Sequence, residues 1–197
     1  MGLYRYLKCR YRNDQPPKTL DLNMAIDLQT WERHIVLPDG QKVLVRPIRP
    51  EDEQLYARFF DVESADDLRF RFFGLVKSRD LAFFSHFTHI DYDKAMAFIA
   101  LDEKSGEMLG VARLHDDAID DGAAEYAIII RSDLKSHGLG WALMHMIIEY
   151  AKAKKLRVIK GQVMHENEGM LGMCRELGFE ITSDPGTAYI CNVVLKL

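Results

Sequence analysis

Glycine and proline are scarce in this chain: 13 and 6 among 197 residues. That excludes a collagen-like or low-complexity polymer, and no period of about 20–50 residues recurs to suggest a repeat array. Long hydrophobic runs are missing too. Uncharged apolar stretches, such as residues 127–130, fall far short of the about 18 residues that a membrane-spanning helix needs, so no membrane partner is expected. Positive charge has no excess, with 26 Lys and Arg against 30 Asp and Glu for a net charge of −4, and without a basic field no nucleic-acid partner is expected. The one basic stretch, Arg5, Lys8, Arg10 and Arg12 among Tyr4, Tyr6 and Tyr11, reads as a frayed or packed terminus. That start has no apolar core of a secretory signal, so a cytoplasmic location is expected. Three cysteines, Cys9, Cys174 and Cys191, are odd in number and far apart, which suits reduced thiols and not a disulfide framework or a zinc site. Seven histidines form no H-E-x-x-H and no other metal spacing, so no metal is expected.

What remains is ordinary globular composition, 48% hydrophobic and 28% charged, in a length that suits one domain. Residues 1–33 stand apart as an appendage: Asn13, Asp14, Gln15, Pro16 and Pro17 make a polar break, with room for one helical segment over 21–33. Residues 33–37 and 41–48 flank a Pro38-Asp39-Gly40 turn and read as a hairpin. Leu55 and Phe59 recur at helical spacing after Pro50, and Ser64 with Asp67 resembles a helix-start cap. Residues 95–102 and 108–116 make a second hairpin, 125–131 a third strand, 140–154 the strongest helix, 157–164 a strand, 168–177 a helix ended by Gly178, and 187–196 a last strand. The predicted class is α+β with a mixed sheet.

The most informative stretch is EYAIIIRSDLKSHGLGWALM over residues 125–144: a strand, a short loop, Gly138-Leu139-Gly140, then the long helix. A Gly-rich turn feeding a helix start gathers free N–H groups at the positive end of the helix dipole, and the missing side chains let a phosphate come close. Two nucleotide-binding patterns fail on spacing. There is no G-x-x-x-x-G-K-[ST], and Leu143 stands where G-x-G-x-x-G needs its third Gly.

The loop Lys135-Ser136-His137-Gly138-Leu139-Gly140 resembles the Gln/Arg-x-x-Gly-x-Gly/Ala loop of the GNAT superfamily of acetyl-CoA-dependent N-acetyltransferases, with Lys in place of Gln or Arg. Asn167, Met170, Leu171 and the Leu177-Gly178-Phe179 ending are similar to that family's last helix. LPDGQKVLVRPIRPEDE, LRFRFFG, Ala124-Glu125-Tyr126-Ala127 and Glu166-Asn167 with MLGMCRELGF look like the GNAT domain of bacterial protein-lysine acetyltransferases, without their acyl-CoA-synthetase-like domain. The resemblance implies a GNAT fold over residues 34–197, a central, mixed but mostly antiparallel twisted sheet flanked by helices.

It also implies acetyl-CoA as cosubstrate, lying in a splay between the strand that ends near Ile130 and the strand over 160–164. Backbone groups along Ile128, Ile129 and Ile130 would line the pantetheine arm. Lys135 would lend charge, and N–H groups of Ser136, His137, Gly138, Leu139, Gly140 and Trp141 would hold the pyrophosphate. Asn167 and Cys174 would flank the arm, Cys174 standing where many relatives place a Tyr acid and reading as a packed neighbour of the cofactor. Glu125 is the expected general base. An amine must lose a proton before it attacks a thioester, and a carboxylate half-buried beside Tyr126 and Ala127 would have a raised pKa. Asp116, Asp117, Asp120 and Asp121 would draw a lysine or polyamine to the acceptor entrance, unless they are simply a solvated hairpin tip. The expected activity is direct acetyl transfer to a primary amine, foremost a protein lysine. A small amine acceptor and a non-catalytic acyl-CoA-binding module are the alternatives.

Overall fold

The computed structural model describes residues 10–11, 27–73, 81–135 and 137–197. Its layers follow from one strand, β4 (Ala95–Asp102). Met96, Phe98 and Ala100 of β4 belong to one hydrophobic cluster, while Ala97, Ile99 and Leu101 belong to another. An unbroken apolar run of this kind is what a strand covered on both faces requires.

The other strands are β1 (Arg10–Tyr11), β2 (Arg33–Val36), β3 (Lys42–Pro47), β5 (Met108–Asp116), β6 (Ala123–Ile130), β7 (Val158–Met164), β8 (Glu180–Ser183) and β9 (Ile190–Lys196). They form one nine-stranded sheet in the order β1-β2-β3-β4-β5-β6-β7-β9-β8. Among these neighbours only β6 and β7 run parallel. Helices α1 (Glu53–Asp61), α2 (Ala65–Phe72) and α3 (Leu81–Thr88) cover one face through Tyr56, Phe59, Phe60, Leu68 and Phe84. Helices α4 (Leu139–Ala153) and α5 (Glu168–Glu176) cover the other through Leu143, Ile147, Leu171 and their neighbours. The class expected from sequence, a GNAT-type mixed and mostly antiparallel sheet between helices, is the one found.

Local chemistry sets several boundaries. The Ser64 side chain accepts the Asp67 N–H at 3.1 Å and starts α2, as the cap pattern predicts. Gly178, at φ 86°, follows the end of α5. The helix expected over 21–33 is, in its described part, a single 3₁₀ turn at Leu28–Trp31, and β2 follows at once. Trp31 is fully buried there, edge-on to Tyr150 at 5.2 Å and tilted against Phe98 at 5.9 Å. Three elements were not expected, β1, α3 and β8. The apolar α3 carries little helical alternation, and β8 is a four-residue edge strand with no fully buried side chain.

The sheet opens where β6 meets β7. Ala123, Ala124 and Glu125 pair with Val158, Ile159 and Lys160, and there the pairing stops, although β6 stays paired to β5 as far as Ile130. Gly161 is the next residue of β7. A Cβ there would lie 2.6 Å from Cε1 of Tyr126, so only glycine lets that ring lie against the strand.

Candidate active site

Beyond Glu125 the two strands part into a cleft of about 770 Å³. One wall is the open edge of β6, lined by Glu125, Tyr126, Ala127, Ile128, Ile129 and Ile130. The other includes Gln162 and Val163 of β7, Asn167, and the α5 residues Met170 and Met173. Helix α2 contributes Asp67, Phe70 and Arg71. At the far end lie Lys135, Gly138, Gly140 and Trp141.

The far end is built to receive an anion. Gly138 has φ 93° and caps α4, a conformation that disfavours any other residue type. The helical ladder begins with the Ala142 N–H on the Gly138 carbonyl at 3.1 Å, so the N–H groups of Leu139, Gly140 and Trp141 have no partner inside the helix. They add to the positive end of a fifteen-residue helix dipole. Gly140 also permits a close approach, since a Cβ there would lie 3.1 Å from Cε of Met173 on α5.

Lys135 is less available than its position in the loop suggests, because its ammonium is paired with Asp67. Asp67 also receives the Ser64 hydroxyl at 2.8 Å, and Ser132 Oγ stands 2.6 Å from it. Burial works against the Asp67 charge, yet the hydrogen bonds from Lys135, Ser132 and Ser64 hold its carboxyl below the usual range. Ser132 Oγ stands 3.0 Å from Oε2 of the buried Glu63 as well. One hydroxyl proton cannot serve two carboxylates, and a proton on Glu63 completes the set. Consistently, burial pushes Glu63 up to about 7, opposed by the Ser132 hydrogen bond and supported by the Asp67 charge. The folded protein therefore keeps a proton that the unfolded chain releases above the ordinary value of 4.5. Stability from this source is present at low pH and lost as pH rises through about 7. Urea midpoints at about pH 5 and pH 8 should show Glu63→Gln gaining about 1–3 kcal/mol on the parent protein across that interval. A parallel pH dependence in the two proteins would overturn the assignment.

At the opposite end Glu125 stands in register between His115 of β5 and Lys160 of β7. It is exposed, where the sequence suggested a half-buried carboxylate. The side chain sits at the end of the open edge, where solvent reaches it. Arg71, which also lines the cleft, interacts electrostatically with it.

The remaining expected site residues are placed as follows. The Leu139 side chain is fully buried beneath α4, and His137 turns outward to Asp39, Nδ1 to Oδ2 at 3.2 Å. Neither side chain lines the cleft. Asn167 caps α5, its Oδ1 accepting the Met170 N–H at 3.1 Å, and faces the cleft from there. Cys174 does not reach the cleft: it is fully buried, with Sγ 3.2 Å from the Tyr126 hydroxyl. Burial pushes its thiol up. Ser136 lies outside the described residues. Three of the four acidic-tip carboxylates are paired, Asp116 on Lys154 at 2.7 Å, Asp120 on Arg157 at 2.9 Å and Asp117 on Lys160, whereas Asp121 offers Arg157 only its backbone carbonyl. Sequence reasoning missed Arg71, Asp67, Glu63 and Phe70. The LRFRFFG segment that carries Arg71 and Phe70 was visible as a motif, but nothing local shows which of its side chains turn inward.

The profile of the acetyltransferase (GNAT) family matches residues 59–179, the span that holds the cleft. The chain belongs to the GNAT acetyltransferase family. This GNAT acetyltransferase is 33% identical over 151 residues to a Pseudomonas aeruginosa acetyltransferase, covering 76% of this chain and 81% of the relative. It is 34% identical over 83 residues to an L-methionine sulfoximine/L-methionine sulfone acetyltransferase of the same species, covering 41% of this chain and 48% of that protein. Its fold matches the GNAT domain of S. lividans PAT at a TM-score of 0.76 with 22% identity, over 85% of this chain and 97% of that one. The family's donor is acetyl-CoA, which supplies the acetyl group as an activated thioester. The site suits it: an unpaired strand edge for an extended arm, apolar flanks from Ile130, Met170 and Met173, and free helix-start N–H groups for a pyrophosphate.

Proposed function

We propose that this GNAT acetyltransferase passes the acetyl group directly from acetyl-CoA to a primary amine, with Glu125 taking the amine's proton, through water where needed. The amine nitrogen attacks the thioester carbonyl, a C–N bond forms, the C–S bond breaks, and CoA leaves as the thiolate. The observation that carries this reading is the single cleft with a carboxylate at the point where β6 and β7 part and a free helix start at its other end. Direct transfer is favoured because Cys174 is sealed under Tyr126 and no cysteine lines the cleft among the described residues. An acyl-cysteine route would need an accessible thiolate.

For the acceptor, a protein lysine is what the flanking segments imply, and the fold likeness to the S. lividans PAT domain accompanies it. Two observations favour a small amine instead. Three of the four carboxylates in the acidic tip that would draw a lysine are already paired. The cleft rim is also tied across by Arg69 of α2 and Glu166 after β7, Nη2 to Oε2 at 2.7 Å. One relative is named for small-molecule acceptors as well.

Isothermal titration with acetyl-CoA, followed in the same sample by thiol release on adding amines, tests the proposal. Binding with amine-dependent release is the expected result. Binding without release from any amine would leave a non-catalytic acyl-CoA-binding module, and no binding would overturn the whole assignment.

A further inference from the structure

The least explained charge in the cleft is Arg71. A guanidinium keeps its charge at any ordinary pH and carries five donors in a planar fork. Arg71 is partly buried and lines the cleft. It lies over the Phe72 ring, 4.9 Å from the centroid, yet among the described residues it has no hydrogen bond and no ion pair, unlike Arg69 on the same helix, which holds Asp66 and Glu166. Burial pushes its pKa below the ordinary value, with Arg113 acting the same way and Tyr56 and Glu125 opposing.

Arg113 adds a second cation. It belongs to β5 directly opposite Ala127, so it shares the sheet face of Glu125 and Ala127. It donates to the Phe87 carbonyl and lies over that ring at 5.4 Å, while its buried Nε has no partner. Arg71 is the guanidinium that lines the cleft with unused donors, and Arg113, which does not line it, adds positive charge near Arg71; a partly buried charge without a partner is an unmet demand for an anion.

The demand has a direction. Glu125 and Arg71 both line the cleft and interact electrostatically without forming an ion pair. A cation and an anion that share a cleft unpaired match a molecule that carries both opposite charges. Resting on the proposed amine acetylation at Glu125, we infer that the acceptor is a small zwitterion, an amine with a carboxylate close by in the manner of an α-amino acid, its carboxylate held by Arg71 and its nitrogen turned toward Glu125. The planar fork suits a carboxylate bidentately, and the pairing leaves the nitrogen at the carboxylate end of the site.

The test is thiol release from acetyl-CoA with the twenty L-amino acids, their amides and decarboxylated amines, spermidine and a lysine-containing peptide. The expected result is turnover of at least one amino acid with a kcat/KM about 10- to 100-fold above that of its amide, a preference that Arg71→Ala abolishes and Arg71→Lys restores in part. Calorimetric titration with acetyl-CoA verifies that each variant still folds and binds the donor. Release with spermidine or the peptide but with no amino acid overturns this inference and leaves the amine acetylation standing. An amino-acid preference that survives Arg71→Ala overturns the role of Arg71. No release with any amine overturns the underlying reading and this inference with it.

Discussion

Glu125→Gln is expected to lower kcat by about 10²-fold, toward the lower end of the usual 10² to 10⁴ range for general-base assistance, while the dissociation constant for acetyl-CoA stays within about twofold. The modest end of the range follows from exposure: Glu125 is open to solvent, and water takes over part of its work. Donor affinity should be retained because the free N–H groups of α4 and the apolar flanks lie at the other end of the cleft. Steady-state kinetics, with calorimetry for the donor, make the measurement. Unchanged turnover would remove Glu125 from the chemistry, and loss of donor binding would make it a structural residue of the β6–β7 opening.

Trp31→Ala is expected to cost about 3–5 kcal/mol of folding stability, as large aromatic truncations in cores do. The indole is fully buried against Phe98 and Tyr150, and Arg33 lies over it at 5.9 Å. Edge-on aromatic contacts add to the lost burial. Its Nε1 has no hydrogen-bond partner among the described residues, so truncation strands no acceptor there. For a chain of this size the loss corresponds to a fall in melting temperature of about 10 °C or more. Equilibrium urea unfolding provides the number. A cost below about 1 kcal/mol would mean that residues 27–33 are not part of the cooperative unit. The expected value means that removing residues 1–33 as a dispensable appendage would take a core side chain with them.

Much of the architecture was legible because it is written in local patterns. The AMAFIALD run, the Pro-Asp-Gly turn, the Ser64 cap and the Leu143 and Ile147 stripe each declare an element within a few residues. The chain's Gly138-Leu139-Gly140 turn declared the anion end of the cleft for the same reason, since a free helix start is a property of the backbone in one segment. Glu125 was legible through the segment around it, not through its chemistry, and the burial expected for it was absent. The short 3₁₀ turn at Trp31, helix α3 and edge strand β8 were not legible, because their stability comes from what they pack against and not from their own periodicity.

By itself the sequence determined the class, the order of most elements, the absence of a basic field and the segment where a phosphate would be met. Only the tertiary structure decided what the charged groups do, because their partners lie far away along the chain. Lys135 is joined to Asp67, 68 residues earlier, Ser132 to Glu63, 69 residues earlier, and Cys174 to Tyr126, 48 residues earlier. Those pairings made Lys135 one end of a bridge and Cys174 part of the core. Three of the four acidic-tip carboxylates are likewise closed onto Lys154, Lys160 and Arg157, while Arg71 has no hydrogen bond or ion pair among the described residues. Electrostatic roles depend on distance and burial, which no local pattern encodes, and so the free helix start could be read from residues while the pairing of the charged side chains had to be read from space.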